Sequence, residues 1–129
     1  RTAARFAEPG GNVDRERFLA EVLLPLRRGE KVFYRRFDCA SMQLQNAVET
    51  APKKLVVAEG AYSMHPDLAP YYDLSVFLDI SPELQRERIS RRNTPEKAKR
   101  FFAEWIPMEQ AYFAAFDIPA KCTLRLPIL

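Results

Sequence analysis

Glycine is scarce in this chain, and its scarcity excludes one device outright. Only four of the 129 residues are glycine, at positions 10, 11, 29 and 60. No G-x-x-x-x-G-K-[ST] run is present to cradle a phosphate chain with backbone N–H groups. Cysteine is almost missing too. Cys39 and Cys122 have no metal-ligand spacing and make no disulfide framework, which points to a reducing, cytoplasmic setting. No apolar run approaches the roughly 20 residues of a membrane span, and no secretory signal pattern opens the sequence. The chain has one histidine, His65, and a lone histidine is more often structural than catalytic. Charge of one sign is also lacking: 20 Lys and Arg against 17 Asp and Glu leave a net +3. So small an excess, with no recognised nucleic-acid motif, argues against nucleic-acid binding while allowing an anionic ligand. What remains, 47% hydrophobic and 29% charged, is the composition of a globular domain large enough to bury a core.

Patterning along the chain divides it into strands and helices. Residues 1–12 end in the turn cluster Pro9-Gly10-Gly11-Asn12 and read as a loop. Asp14 is an N-cap for a helix over 14–27, where Phe18, Leu19, Val22, Leu23 and Leu26 keep helical spacing. Gly29 stops that helix, and Pro25 kinks or shortens its last turn. Residues 31–36 read as a short strand, and 37–51 as loop or one weak helical turn. Leu55 to Ala58 is a continuous apolar strand ended by Glu59-Gly60. Residues 61–72 carry turn chemistry, with Pro66 suited to starting a short helix at 67–69. Leu74 to Ile80 is the second apolar strand. Ser81-Pro82-Glu83 opens a helix running to Arg92. Thr94-Pro95-Glu96 opens the next, which reaches Trp105 or beyond before Pro107 breaks or kinks it. A final strand spans 122–126. Apolar strands alternating with helices predict an α/β fold, a parallel sheet covered on both faces. Ligands gather at the carboxyl ends of such strands, which places Asp38, Glu59 and the segment after Asp79 at one edge.

Several segments, in this order, resemble the uridine kinase branch of the P-loop nucleoside kinases, to which phosphoribulokinase and pantothenate kinase are also similar. They are Pro9-Gly10-Gly11-Asn12-Val13-Asp14 followed by Phe18, Tyr34-Arg35-Arg36-Phe37-Asp38-Cys39, Val56-Val57-Ala58-Glu59-Gly60, Tyr72-Asp73-Leu74, Val76-Phe77-Leu78-Asp79, Arg88 with Arg91 and Arg92, and the run from Trp105 to Phe113. The resemblance covers about residues 9–126 and implies a P-loop NTPase-like three-layer domain. The phosphate loop and the acidic strand end of that family are missing, and the first residue is Arg. The expectation is therefore one nucleoside-kinase-like domain over 1–129, incomplete at its N-terminus.

The resemblance also implies roles. Asp14 would hydrogen-bond the acceptor's sugar hydroxyls, a task it could combine with capping its helix. Tyr34 would pack on a flat base or belong to the core. Asp38 would read polar groups, and His65 would touch the acceptor or serve structure alone. Glu59 would hold magnesium-bound water, against the alternative of a surface turn residue. Arg88 and Arg92, four apart on one helix face, with Arg91 as substitute, would close over the triphosphate; otherwise they form a solvated basic helix. The aromatic residues from Phe101 to Phe113 read as core. The implied activity is ATP- and Mg2+-dependent phosphorylation of a small alcohol such as uridine or cytidine, with self-association left open. The alternative is a noncatalytic nucleotide- or partner-binding module derived from the same fold.

Overall fold

The structure, a computed structural model, describes residues 2–129. It opens with a short helix where a loop was expected. Helix α1 (Ala3–Ala7) forms because Thr2 caps it, its hydroxyl accepting from the Arg5 amide at 3.3 Å. The turn cluster follows directly, and the Gly11 amide donates to the Glu8 carbonyl at 2.9 Å.

The helix predicted over 14–27 is continuous but not uniform. α2 (Arg15–Phe18) leads into a π turn, Leu19–Leu23, and then α3 (Leu24–Arg27). Pro25 explains the widening. It has no N–H to give and its ring would collide with the carbonyl four residues back. The helix relieves this by adding a residue to the turn before, so the Leu24 amide reaches the Leu19 carbonyl. The expected kink is thus a π turn. At the C-terminus the Glu30 amide bonds the Pro25 carbonyl and the Gly29 amide the Leu26 carbonyl, with Gly29 at φ +70. This is a Schellman ending, where glycine takes the left-handed position at no steric cost.

β1 (Val32–Asp38) pairs antiparallel with β2 (Gln43–Thr50), from Val32↔Thr50 to Asp38↔Gln43, with a bulge between Arg35 and Phe37. β2 was read as loop or helical turn. Its residues, QLQNAVET, are mostly exposed and carry little apolar alternation, so the pairing comes from the turn rather than from a buried face. Residues 55–58 are the opposite error. Leu55 and Val57 are each 78% exposed, and among the described residues no strand pairs with this segment. An apolar run becomes a strand only when a neighbour accepts its ladder.

β3 (Val76–Ile80) pairs parallel with β4 (Leu124–Ile128), in register from Val76↔Leu124 to Ile80↔Ile128. The crossover is helical. α4 (Pro82–Arg92) starts at Ser81, whose hydroxyl accepts from the Leu84 amide, and α5 (Pro95–Arg100) starts at Thr94 in the same way. A second π turn, Phe101–Trp105, precedes α6 (Ile106–Phe116) for the reason given at Pro25, here supplied by Pro107. Asp117, at φ 52, turns the chain into α7 (Ile118–Lys121).

The architecture is mixed α/β, a parallel strand pair with flanking helices, as expected. The single ligand edge is not. Asp38 ends a strand of the antiparallel hairpin and Glu59 ends no strand, so neither stands beside Asp79 in one sheet. The buried core comprises Leu23, Val32, Leu68, Ile89, Ala98, Tyr112 and Ile118, with His65 among them. Tyr112 is its centre, ringed by Tyr62, His65, Phe113 and Phe116.

Candidate acceptor site around the first turn of α2

Asp14 does cap α2. Its carboxylate accepts from the Arg17 amide at 3.1 Å and from Arg17 Nε at 3.2 Å. The same guanidinium reaches on, donating from Nη1 to the Arg35 carbonyl at 2.6 Å and to Glu21 at 3.3 Å. Glu21 completes the link by accepting from the Arg35 amide and from Arg35 Nη2, both at 3.0 Å. These contacts hold the Glu21 carboxyl below its ordinary value, the Arg35 amide first among the causes. Tyr34, half-buried on β1, is therefore fastened next to the helix that presents Asp14.

Arg15 binds the other side. Residues two apart on a helix point about 200° apart around the axis, and Arg15 accordingly leaves α2 away from Arg17. Its Nε donates to Asp67 Oδ2 at 2.8 Å, and Nη2 lies 3.7 Å from both Glu8 and Glu16. This hydrogen bond pulls the Asp67 carboxyl below the usual carboxylate range. Asp67 belongs to the turn of His65, whose Nδ1 accepts from the Asp67 amide at 3.2 Å and whose carbonyl accepts from the Leu68 and Ala69 amides. The two segments expected on the acceptor side, 9–14 and 34–39, and the turn of His65 are thus tied to one helical turn.

The individual residues differ in what they have free. His65 is 6% exposed, stacked near Tyr112 and edge-on to Phe116 at 5.0 Å. Burial, and then the charge of Arg15, lower its affinity for a proton. Asp38 turns into its own hairpin, accepting from the Ala40 amide at 3.0 Å, the Ser41 amide at 3.3 Å and the Ser41 hydroxyl at 2.7 Å. The Ser41 hydroxyl, followed by those two amides, lowers the Asp38 carboxyl. A carboxylate engaged three times by its own turn has little left to offer a ligand.

The α4 arginines stand apart from this junction. Arg88 Nη2 donates to the Leu129 carbonyl at 3.3 Å, Arg91 lies 3.8 Å from Glu87, and Arg92 sits over the Phe101 ring at 5.7 Å. Among the described residues no hydrogen bond or ion pair joins them to Asp14, Glu59 or His65. Glu59 is exposed and makes no such contact itself, which corrects its expected place at a buried strand end. No group of three or more His, Cys, Asp or Glu comes together among the described residues. Alone, Glu59 supplies one carboxylate where magnesium usually takes one or two together with phosphate oxygens and waters. The described residues do not by themselves fit a magnesium site.

No protein-family model matches the chain. A search of curated proteins gives a likeness to a thymidylate kinase of Methylobacillus flagellatus, 37% identical over 92 residues, or 70% of this chain. This chain is similar to a kinase. It spans 44% of that relative's length. The relative is named for thymidylate and not for uridine, so the likeness supports a kinase relationship without favouring the uridine kinase branch. The α/β architecture is compatible with part of a P-loop kinase fold. Among the described residues no helix is long and apolar enough to cross a membrane.

Sequence reasoning passed over Arg15, Arg17 and Glu21, which assemble the junction. One signal was present: Arg17 and Glu21 are four apart on a helix and form a pair by spacing alone. Arg15 offered none, because its partner Asp67 lies 52 residues away.

Proposed function

We propose that this chain carries the acceptor-binding part of an ATP-dependent P-loop kinase that phosphorylates the hydroxyl of a pyrimidine nucleoside, uridine or cytidine. The observation that carries this reading is the first turn of α2, which holds Asp14 between Tyr34 on β1 and the His65 turn by way of Arg17 and Arg15. Asp14 is the carboxylate there suited to a vicinal diol: it is exposed, and among the described residues no side chain besides Arg17 engages it. A sugar binding there would exchange the Arg17 Nε contact for two hydroxyl donors.

Most of the charges around Asp14 are already matched. Arg5 pairs with Glu16, Arg15 with Asp67, Arg17 with Asp14 and Glu21, and Arg35 with Glu21. Those four guanidiniums are matched by carboxylates, whereas Arg36 on β1 makes no ion pair among the described residues, so thymidine monophosphate is the discriminating probe. The α4 arginines, Arg88 and Arg92 with Arg91 beside them, would meet the triphosphate of ATP once released from Leu129, Phe101 and Glu87. The phosphate loop and general base are not in these 129 residues, so the chemistry requires a further segment.

The test is binding followed by NMR on this chain, with uridine, cytidine and thymidine monophosphate as probes. Uridine or cytidine should shift amides at 10–14 and 34–38, and Asp14→Asn should weaken binding about tenfold, the loss of one charge-assisted hydrogen bond. Binding of the monophosphate in preference would transfer the reading to a nucleotide acceptor. No response to any probe would overturn it.

A further inference from the structure

We propose that Arg15 and Asp67 form a positioning latch that holds the Asp14 carboxylate in fixed register with the His65 turn. The inference rests on the acceptor-site reading of Asp14, and it adds two residues that act through others. Arg15 follows Asp14 directly, and its side chain is only 12% exposed although it starts at a helix end near the surface. A guanidinium gives up that much water only against good partners. It has Asp67 at 2.8 Å, with Glu8 and Glu16 at 3.7 Å, and its Nη1 is buried with no hydrogen-bond partner among the described residues. The commitment is to Asp67, which carries the backbone N–H that fixes the His65 ring.

The other end of the same loop touches the same ring. A Cβ on Gly10 would lie 3.2 Å from His65 Cδ2 and 3.0 Å from Tyr112 Cδ2, so loop 9–14 is seated on the His65–Tyr112 pair. Two anchors, Gly10 and Arg15, therefore bracket Asp14. With one released, the segment pivots on the other, and a substrate-positioning carboxylate displaced by an ångström loses most of its worth.

The charged and aromatic groups facing His65 are Arg15 and Glu16 from α2, Arg5 from α1, Asp67 from its own turn, and Tyr112 and Phe116 from α6. Arg15 opposes a proton on the imidazole and Asp67 favours one. Removing them should move the ring in opposite directions. In the 129-residue chain, Arg15→Met should raise the pH midpoint of His65 followed by NMR, and Asp67→Asn should lower it. Asp67→Asn should also shift the Arg17 amide, which bonds Asp14 and lies far from the substitution in sequence. Both variants should weaken uridine binding about tenfold, and Arg15→Lys should recover part of that loss.

An unchanged Arg17 amide and unchanged uridine affinity in Asp67→Asn would overturn the latch, even if Arg15→Met failed to fold. Absence of nucleoside binding by the unaltered chain would instead overturn the acceptor-site reading. The latch would then be decided by the opposed His65 shifts and the Arg17 amide.

Discussion

Gly11 leaves no room for a side chain: a Cβ there would meet the Arg5 carbonyl oxygen at 1.9 Å. That oxygen is backbone and has no rotamer to yield, so Gly11→Ala must move α1 from the loop. The expected loss is about 1–3 kcal/mol, by urea denaturation. Gly29 is a control of a different kind. Nothing lies within 4 Å of its Cβ position, yet φ is +70, so Gly29→Ala should cost only the left-handed backbone, about 1–2 kcal/mol. His65 supplies the pH dependence. Its folded midpoint lies below the ordinary value near 6.5, so the unfolded chain takes up the proton first as pH falls. Stability is whole above that ordinary value and declines as pH drops toward the folded midpoint. The thermal midpoint should fall as the pH drops below about 6.5, and His65→Gln should flatten that fall. At this scale the sequence was readable where bonds are local. Asp14, Ser81 and Thr94 cap helices as their positions imply. Arg17 reaches Arg35 across 18 residues, which no local pattern encodes.

The β1–β2 hairpin depends on Asp38 more than on apolar pairing. Asp38→Ala should leave the Ala40 and Ser41 amides without their acceptor and accelerate their hydrogen exchange. Asp38→Asn, which keeps an acceptor, should have the smaller effect. Because the carboxyl is lowered in the fold, the turn is secure above the ordinary carboxylate value and loosens as pH falls through the folded one. The two π turns make a second prediction. Each holds one residue more than an α-helical turn needs, and each stands just before a proline. Deleting one residue from 101–105 would restore α geometry but press Pro107 against a carbonyl, costing about 3 kcal/mol. The same deletion with Pro107→Ala should be far milder by thermal denaturation. Prolines 25 and 107 were visible in the sequence as disturbances. Whether a proline kinks a helix or widens it depends on what the surrounding helix must pack against, and that is tertiary information.

β3 and β4 use one face of their sheet and leave the other bare. Phe77 packs on Phe113 with centroids 5.1 Å apart, while Val76, Leu78, Leu124 and Leu126 are 40–59% exposed on the opposite face. A contiguous apolar surface of this kind is uncommon on a monomer. The chain should bind the dye ANS, and Leu78→Lys with Leu126→Glu, an opposite-charge pair across the register, should reduce the fluorescence without lowering stability. Periodicity located both strands to within two residues but implied cover on both sides, because a near-continuous apolar run says what a strand tolerates and not what is laid on it. The accessible surface of the chain is 9351 Å², against about 7,000 Å² expected of a compact monomer of this mass. Unfolding therefore wets less fresh hydrocarbon than 129 residues would ordinarily conceal. The urea m-value and the heat-capacity increment should both be small for the chain length, giving a broad, shallow transition.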